Sequence, residues 1–419
     1  MITDLRAGPT AAPQPAQPTA QPTAQPAPRP VTPAADQLTG RSAVRPVART
    51  VAADWALLRP ALIFHLATRA VVVVGLVLAA LRSGRPFAEV VTRWDGEWYH
   101  KVAAQGYPSP LPVHPTGRYE SSTAAFLPLY PLLTKGLTGF GVPFWLSGMI
   151  INLAASTAAV MIIVLVGRQY LDRRPAQLLG CLWTAFPVSA VLTTTYTEAV
   201  FTAFGAASLL FALRRRWLLA GSLAALAGAV RAPGIVFAGA VGLAALEAIV
   251  RRREWRALGG AVIAPLGFLA AVGYIGLRTG TADAWRLTER DGWHTSLSFG
   301  AEWVNFLTPE TTNQHDLVHL GMGLVAVGLV TLIIMAIVRR PPLPIIGLLI
   351  VGAFTAFGFG GVMMNAAPRV MMSFFPVFAP AAVLMARWRT GAQWLVLGVM
   401  AAIAAVLGGY FFAFAPLPV

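Results

Sequence analysis

Residues 60–81 read PALIFHLATRAVVVVGLVLAAL, and these 22 positions hold one arginine, Arg69, one histidine, His65, and no acid. A bilayer-crossing helix needs about 20 mainly apolar residues, and this run meets that length. Comparable runs follow near 143–169, 176–195, 199–213, 217–231, 234–250, 257–277, 317–338, 343–361, 370–386 and 391–412. That makes about eleven transmembrane helices, several shorter than a full span. The fold class is therefore all-α, a polytopic membrane protein.

Composition agrees. Of 419 residues 56% are hydrophobic and 12% charged, with mean hydropathy +0.65, where soluble domains carry about 25% charge. Soluble dehydrogenases, nucleases and binding modules are excluded. The net charge of +15 comes from 30 Arg and 2 Lys against 17 acids. Arginines at cytoplasmic loops account for it, and no nucleic-acid partner is needed. The one cysteine, Cys181, allows no intrachain disulfide and no cysteine-based metal site.

Basic residues recur at every second junction: Arg168 with Arg173 and Arg174, Arg214 to Arg216, Arg251 to Arg253, Arg339 with Arg340, and Arg387 with Arg389. These loops are expected to face the cytoplasm, and the intervening junctions hold most of the acids, on the outer face. A crossing by Phe126–Phe140 would put Arg173 and Arg174 outside, so that stretch, with Pro128 and Pro131, is expected to be a short outer-leaflet helix. Residues 1–54, with ten prolines by Pro46, are expected to form a disordered Pro/Ala/Gln/Thr-rich cytoplasmic tail. Residues 55–419 form the membrane domain, with long outer loops at 82–125 and 278–316, the natural seat of function.

The first loop contains Arg93-Trp94-Asp95-Gly96-Glu97-Trp98-Tyr99-His100-Lys101. It reads as an amphipathic helix, with Val91, Trp94, Trp98 and Val102 on a stripe for the membrane surface and Glu97 pairing with Lys101. Asp95, beside Tyr99 and between indoles, suits a general base. Glu198, in the tight turn Tyr196-Thr197-Glu198, must face water or a cavity. Arg231 and Arg369 are single arginines at outer junctions. Each alone could snorkel to phospholipid, but with Arg93 they would make an anion site suited to a phosphodiester. Arg69, inside the first span, should face the bundle interior, unless that span begins late and leaves it at the inner interface. The second loop offers Glu289, Asp291 and His294, and His315 with Asp316 and His319 as a weak metal pattern. Asp95 with Glu97 is the alternative seat of a divalent cation, Mg or Mn. No Walker loop or GxGxxG is present, so any donor should come from the membrane.

Arg93-Trp94-Asp95-Gly96-Glu97-Trp98-Tyr99 with Gly106-Tyr107-Pro108, then Phe126-Leu127-Pro128-Leu129-Tyr130-Pro131, Phe186-Pro187, Tyr196-Thr197-Glu198, Arg231-Ala232-Pro233 and Pro368-Arg369 with Phe375-Pro376 resemble the PIG-V type of mannosyltransferase. That family, named after the second mannosyltransferase of GPI-anchor synthesis, belongs to the GT-C glycosyltransferases, and this chain resembles a bacterial member over roughly residues 55–415. Two departures stand out: Val370 follows Arg369 where the family has tyrosine, and Ala232 interrupts its Thr-Arg-Pro.

The resemblance implies a GT-C bundle and a polyprenyl-phosphate-linked donor, usually of mannose, used at the outer face of the plasma membrane. It implies Asp95 as the catalytic carboxylate, with Glu97 completing a DxD-like motif. Arg93, Glu97, Tyr99, Glu198, Arg231 and Arg369 are then the expected substrate and donor-phosphate residues, with Asp291, His294 and Arg69 in reserve. No nucleotide cofactor is required. The acceptor hydroxyl could belong to a glycolipid, a glycan or a protein. The rival reading is a transporter or lipid flippase with Arg69 and the outer carboxylates as its sites.

Overall fold

The computed structural model describes residues 47–307 and 317–416. Most of the expected tail, His315, Asp316, the His319 side chain and residues 308–316 of the second loop lie outside the described residues.

The described residues form an all-helical fold. In order, α1 (Val47–Ser83) leads into α2 (Phe87–Thr92) and α3 (Asp95–Gln105), then α4 (Leu129–Thr138), α5 (Phe144–Gly167), α6 (Arg173–Ala185) and α7 (Glu198–Leu213). There follow α8 (Trp217–Val230), α9 (Gly234–Arg252), α10 (Ala257–Ile263), α11 (Leu266–Thr279), α12 (Ala284–Leu287) and α13 (Ala301–Leu307). Last come α14 (Leu317–Val338), α15 (Leu343–Phe357), α16 (Val362–Ser373), α17 (Ala379–Met385) and α18 (Thr390–Ala413). Among the described residues the extended pairings are two isolated bridges, Val113 with Tyr119 and Leu297 with Phe359.

Among the described residues five helical stretches are long and apolar enough to cross a membrane: Trp55–Ser83, α5, α9, Ala257–Thr279 and α18. Ala366–Ser373 and Phe375–Met385, bent by 89°, make a sixth if taken as one broken span. The protein is thus an integral membrane protein, but the expected runs of about eleven are not all single full spans. α7, α8, α15 and Gly323–Val338 of α14 are apolar and shorter. The run 176–195 is corrected most: α6 stops at Ala185 and a 3₁₀ turn covers Ser189–Leu192. Pro187 lacks the N–H a helix needs and restricts Phe186 before it. The carbonyls freed by this break lie inside the bundle, where they require partners.

Arg69 supplies them. α1 is continuous through Arg69, which is 3% exposed, so the late-starting span is corrected. Its guanidinium donates to the carbonyls of Thr184 (2.7 Å) and Ser189 (2.5 Å), and to the hydroxyls of Ser189 (3.0 Å) and Thr193 (3.1 Å). It closes the end of α6, where a cation is also favoured by the helix dipole. One turn earlier, the ring nitrogens of His65 meet Thr184 Oγ1 at 2.6 Å and Ser156 Oγ at 3.1 Å. Arg69 is therefore a fastening of the α6 break, and its hydrogen bonds carry it away from the reserve role.

The first loop also differs from expectation. α2 and α3 are separate, broken at Arg93–Trp94, and Trp94 has φ 65°. The single amphipathic stripe is thus divided. Val91 is buried in α2, while Trp98 stacks on Phe126 (5.7 Å) and meets Trp293 of the second loop edge-on (5.3 Å). The stripe faces protein and not a membrane surface. Lys101 lies over the Trp98 ring at 4.3 Å, and no Glu97–Lys101 ion pair forms among the described residues. α4 is the short helix expected within Phe126–Phe140, with Tyr130 and Thr134 buried.

Candidate active site

Asp95 opens α3, and its direction is fixed by the break before it. Trp94, in a left-handed backbone that only tight surroundings sustain, donates Nε1–H to Phe411 O at 3.2 Å. Arg93 lies over the Trp94 ring at 4.3 Å and donates to Ala415 O (2.9 Å) and Phe412 O (3.4 Å). The end of α18 thus holds the residue pair that aims Asp95. Arg93 is thereby engaged with orphan helix carbonyls, a capping role, and not with the carboxylates below.

The other face of the turn is fixed by Thr195, whose N–H and hydroxyl both donate to Val91 O at 3.0 Å. Gly96 makes this contact possible: a Cβ there would lie 2.0 Å from Thr195 Oγ1. Gly96→Ala should therefore lower stability by about 1–3 kcal/mol through overpacking. A second change, Thr195→Ala, should recover part of the loss in thermal unfolding of the purified protein. An unchanged melting temperature in the single variant would contradict this packing.

The structure brings four expected residues into one buried row of alternating charge. Arg369, from α16, donates to Asp95 Oδ2 at 2.6 Å and lies 3.5 Å from Glu198 Oε1. Arg231, at the α8–α9 junction, pairs with that same Glu198 oxygen and reaches Thr197 Oγ1 at 3.5 Å. Side-chain exposures are 17% for Asp95, 7% for Arg369, 1% for Glu198 and 14% for Arg231. Two guanidinium groups against two carboxylates leave the row neutral, which makes its burial tolerable. Hydrogen-bonding capacity remains: Arg369 Nε and Glu198 Oε2 are buried without partners. Tyr196 lies under Arg369, with the guanidinium carbon 5.1 Å from its ring centre. Asn152 of α5 donates to Tyr196 O at 2.7 Å and to Thr194 O, fixing this turn.

Other expected residues are placed differently. Glu97 is exposed; it is two residues from Asp95 on α3, and side chains so spaced on a helix diverge. The pair does not fit a shared divalent cation. Among the described residues, no group of three His, Cys, Asp or Glu is placed to hold a metal. Tyr99 is buried, its hydroxyl 3.3 Å from Thr197 Oγ1 and its ring edge-on to Phe126 and Tyr130. Burial pushes that hydroxyl's pKa upward, so it stays neutral and supports the Thr197–Glu198 turn. Asp291 pairs with Arg290 at 2.6 Å and accepts from Tyr119 N–H at 3.4 Å; the guanidinium holds its carboxyl below the usual range. His294 is exposed, its carbonyl against Gly361, where φ is 69° and a Cβ would come within 2.1 Å.

The second loop carries a carboxyl that the charge pattern alone did not single out. Glu289, on the turn Thr288–Gly292, is only partly exposed and accepts from Thr295 Oγ1 at 3.3 Å. Burial raises its pKa to about 7, opposed by the Thr295 hydroxyl and Arg231 and assisted by Asp95. Arg231 and Asp95 of the row act on it through space, with no hydrogen bond or ion pair to either among the described residues. The same loop is stitched to the start of α16: Ser298 and Phe299 N–H donate to Gly358 O (2.9 and 2.8 Å), and Gly361 N–H donates to Glu302 (2.7 Å). The glycines of Phe357-Gly358-Phe359-Gly360-Gly361 were the available sequence signal for this close approach.

Beside Arg369 lies a small cavity of about 20 Å³, with Trp94, Tyr196, Gly408, Phe411 and Phe412 among its walls. It is an apolar slot with a guanidinium at one side.

The sequence matches no family model and no curated protein. Among solved structures, the chain is similar to the crystal structure of ArnT from Cupriavidus metallidurans bound to undecaprenyl phosphate, with 16% identity and a TM-score of 0.47 over 80% of this chain. It is also similar to the archaeal oligosaccharyltransferase AglB from Archaeoglobus fulgidus in complex with an inhibitory peptide and a dolichol-phosphate, with 13% identity and a TM-score of 0.40 over 83% of this chain. The chain spans 63% of the length of the first and 55% of the second.

Proposed function

We propose that the protein is a GT-C-type membrane glycosyltransferase of the PIG-V kind. It moves a mannosyl or other hexosyl residue from a polyprenyl-phosphate-linked donor to an acceptor hydroxyl, by a single inverting displacement. It works at the acid-rich face, taken as the outer face of the plasma membrane, with the N-terminus cytoplasmic. The acceptor is a glycolipid, a glycan or a protein.

The observation that carries this reading is the buried row Asp95–Arg369–Glu198–Arg231. The donor's phosphodiester competes with Asp95 for Arg369, and a guanidinium suits that phosphate well. Exchange frees Asp95 Oδ2 to take the acceptor's proton. The acceptor oxygen bonds to the anomeric carbon while the bond from that carbon to the phosphate oxygen breaks, its electron pair leaving with the phosphate. The negative charge lost at Asp95 reappears on the departing phosphate, still beside Arg369 and Arg231, which stabilise it. Trp94, Phe411 and Phe412, beside Arg369, give the first part of the prenyl chain an apolar surface to pass along.

Glu289 gives this reading a pH dependence. A carboxyl titrating at about 7 is mainly neutral below that pH and charged above it. Above pH 7 its charge competes for Arg231 and repels the donor phosphate, so the donor KM should rise as pH passes through about 7. Glu289→Gln should flatten that rise while leaving the low-pH KM near wild type. Persistence of the same inflection in the variant would assign it to another group.

The functional test uses the purified protein in lipid nanodiscs with labelled polyprenyl-phosphate-mannose and an extract of acceptors. Label should pass into an acceptor fraction that stays unlabelled without the protein. Passage of the intact labelled lipid between leaflets of proteoliposomes, without sugar transfer, would favour the transporter or flippase reading instead.

A further inference from the structure

A second cavity lies far from Asp95. Asn152 of α5 contacts the Tyr196 turn, and α5 continues to Gly167, about 22 Å farther at the helical rise. There Tyr170 and Leu171 turn the chain toward α6, beside an open groove of about 260 Å³. Ile345 and Ala379, 1% and 5% exposed, give it an apolar floor together with Ala336 and Pro376. Arg339 and Arg340 also line it, and both are exposed. Among the described residues neither arginine side chain has a hydrogen bond or an ion pair. The Tyr170 hydroxyl is buried without a partner. No acid is among the lining residues.

We propose that this groove binds an anionic phospholipid, its phosphate on Arg339 and Arg340 and one acyl chain along Leu171, Pro341 and Pro342. Charge complementarity and apolar lining select this occupant together. Two neighbouring guanidinium groups offer a phosphate paired, charge-assisted hydrogen bonds. A free anion would leave the half-buried apolar walls Leu171, Pro341 and Pro342 uncovered, whereas an acyl chain covers them. The groove also opens at the arginine-rich end of the helices, the level at which charged residues meet headgroups. Simple snorkelling of arginines would need no groove, and this difference makes the site testable.

The full-length protein is placed in nanodiscs of phosphatidylcholine alone or mixed with phosphatidylglycerol, and lipid retained after transfer to detergent is counted by mass spectrometry. Phosphatidylglycerol should be retained by the wild type, and retention should fall roughly tenfold in Arg339→Gln/Arg340→Gln, the effect of losing about one charged hydrogen bond. Arg339→Lys/Arg340→Lys should keep part of it. The control Arg214→Gln/Arg216→Gln removes two exposed arginines outside the groove and should leave retention unchanged. Wild-type retention in the Arg339 and Arg340 variant, or an equal fall in the control, would overturn the site. Displacement of the lipid by inorganic phosphate at equal concentration would overturn the assignment of a lipid, since the groove would then recognise phosphate alone.

Discussion

Asp95→Asn is expected to leave the protein folded and to slow sugar transfer roughly 10²–10⁴-fold, the usual consequence of losing a general base. The amide keeps the size of the carboxylate and an oxygen for the Arg369 hydrogen bond, so the row loses charge but not shape. With the base gone, the acceptor hydroxyl must attack without giving up its proton. The loss should therefore fall on kcat, measured as the single-turnover rate at saturating donor. A near-wild-type rate in a monodisperse sample would place the base elsewhere, with Glu289 next to consider because it shares the Asp95 and Arg231 environment.

Arg369→Ala is expected to act on both folding and donor use. It would leave Asp95 without its 2.6 Å partner and Glu198, 1% exposed, with Arg231 alone. Removing one member of a buried ion pair typically costs about 3–5 kcal/mol, which should appear as a large fall in melting temperature. Donor use should fall with it, because in the proposed mechanism the phosphate meets Arg369 in the ground state and in the transition state alike. Arg369→Lys should restore more stability than donor use, since an ammonium keeps the charge but not the planar fork. Arg231→Ala should be milder, because Glu198 retains Arg369 and Arg231 is nearer to solvent. Equal melting temperatures for wild type and Arg369→Ala would contradict the structural part of this account.

The membrane class was legible because hydrocarbon imposes length and apolarity on any spanning helix. The run at 60–81 and the run at 391–412 announce themselves in composition and are long helices. The run 176–195 does not stay one helix, since periodicity counts apolar residues but Pro187 decides where α6 ends. Arg69 was legible as interior, yet its partners were not: they are main-chain carbonyls freed by that same break, which carry no side-chain signature.

The site follows the same division. Arg231, Glu198 and Arg369 stood out as charges at the ends of apolar segments, and the structure joins them to Asp95. Arg93 and Glu97 share a motif with Asp95 but not its direction, because Trp94 breaks the helix and α3 then rotates Glu97 away. Proximity in sequence misled where helical geometry governs. Glu289 looked no different from Asp291; their partners separate them, the Thr295 hydroxyl for one and the Arg290 guanidinium for the other, leaving one carboxyl raised toward neutrality and the other held down. That distinction belongs to the packing of the second loop on the first.

The proposed mechanism, one base and one direct displacement, makes the stereochemistry of the product decisive. Sugar transferred by the purified protein from polyprenyl-phosphate-mannose should carry the anomeric configuration opposite to that of the donor, read by nuclear magnetic resonance of the isolated product. Retention of the donor configuration would require a covalent or doubly displaced path and would contradict Asp95 acting as the base of one direct displacement.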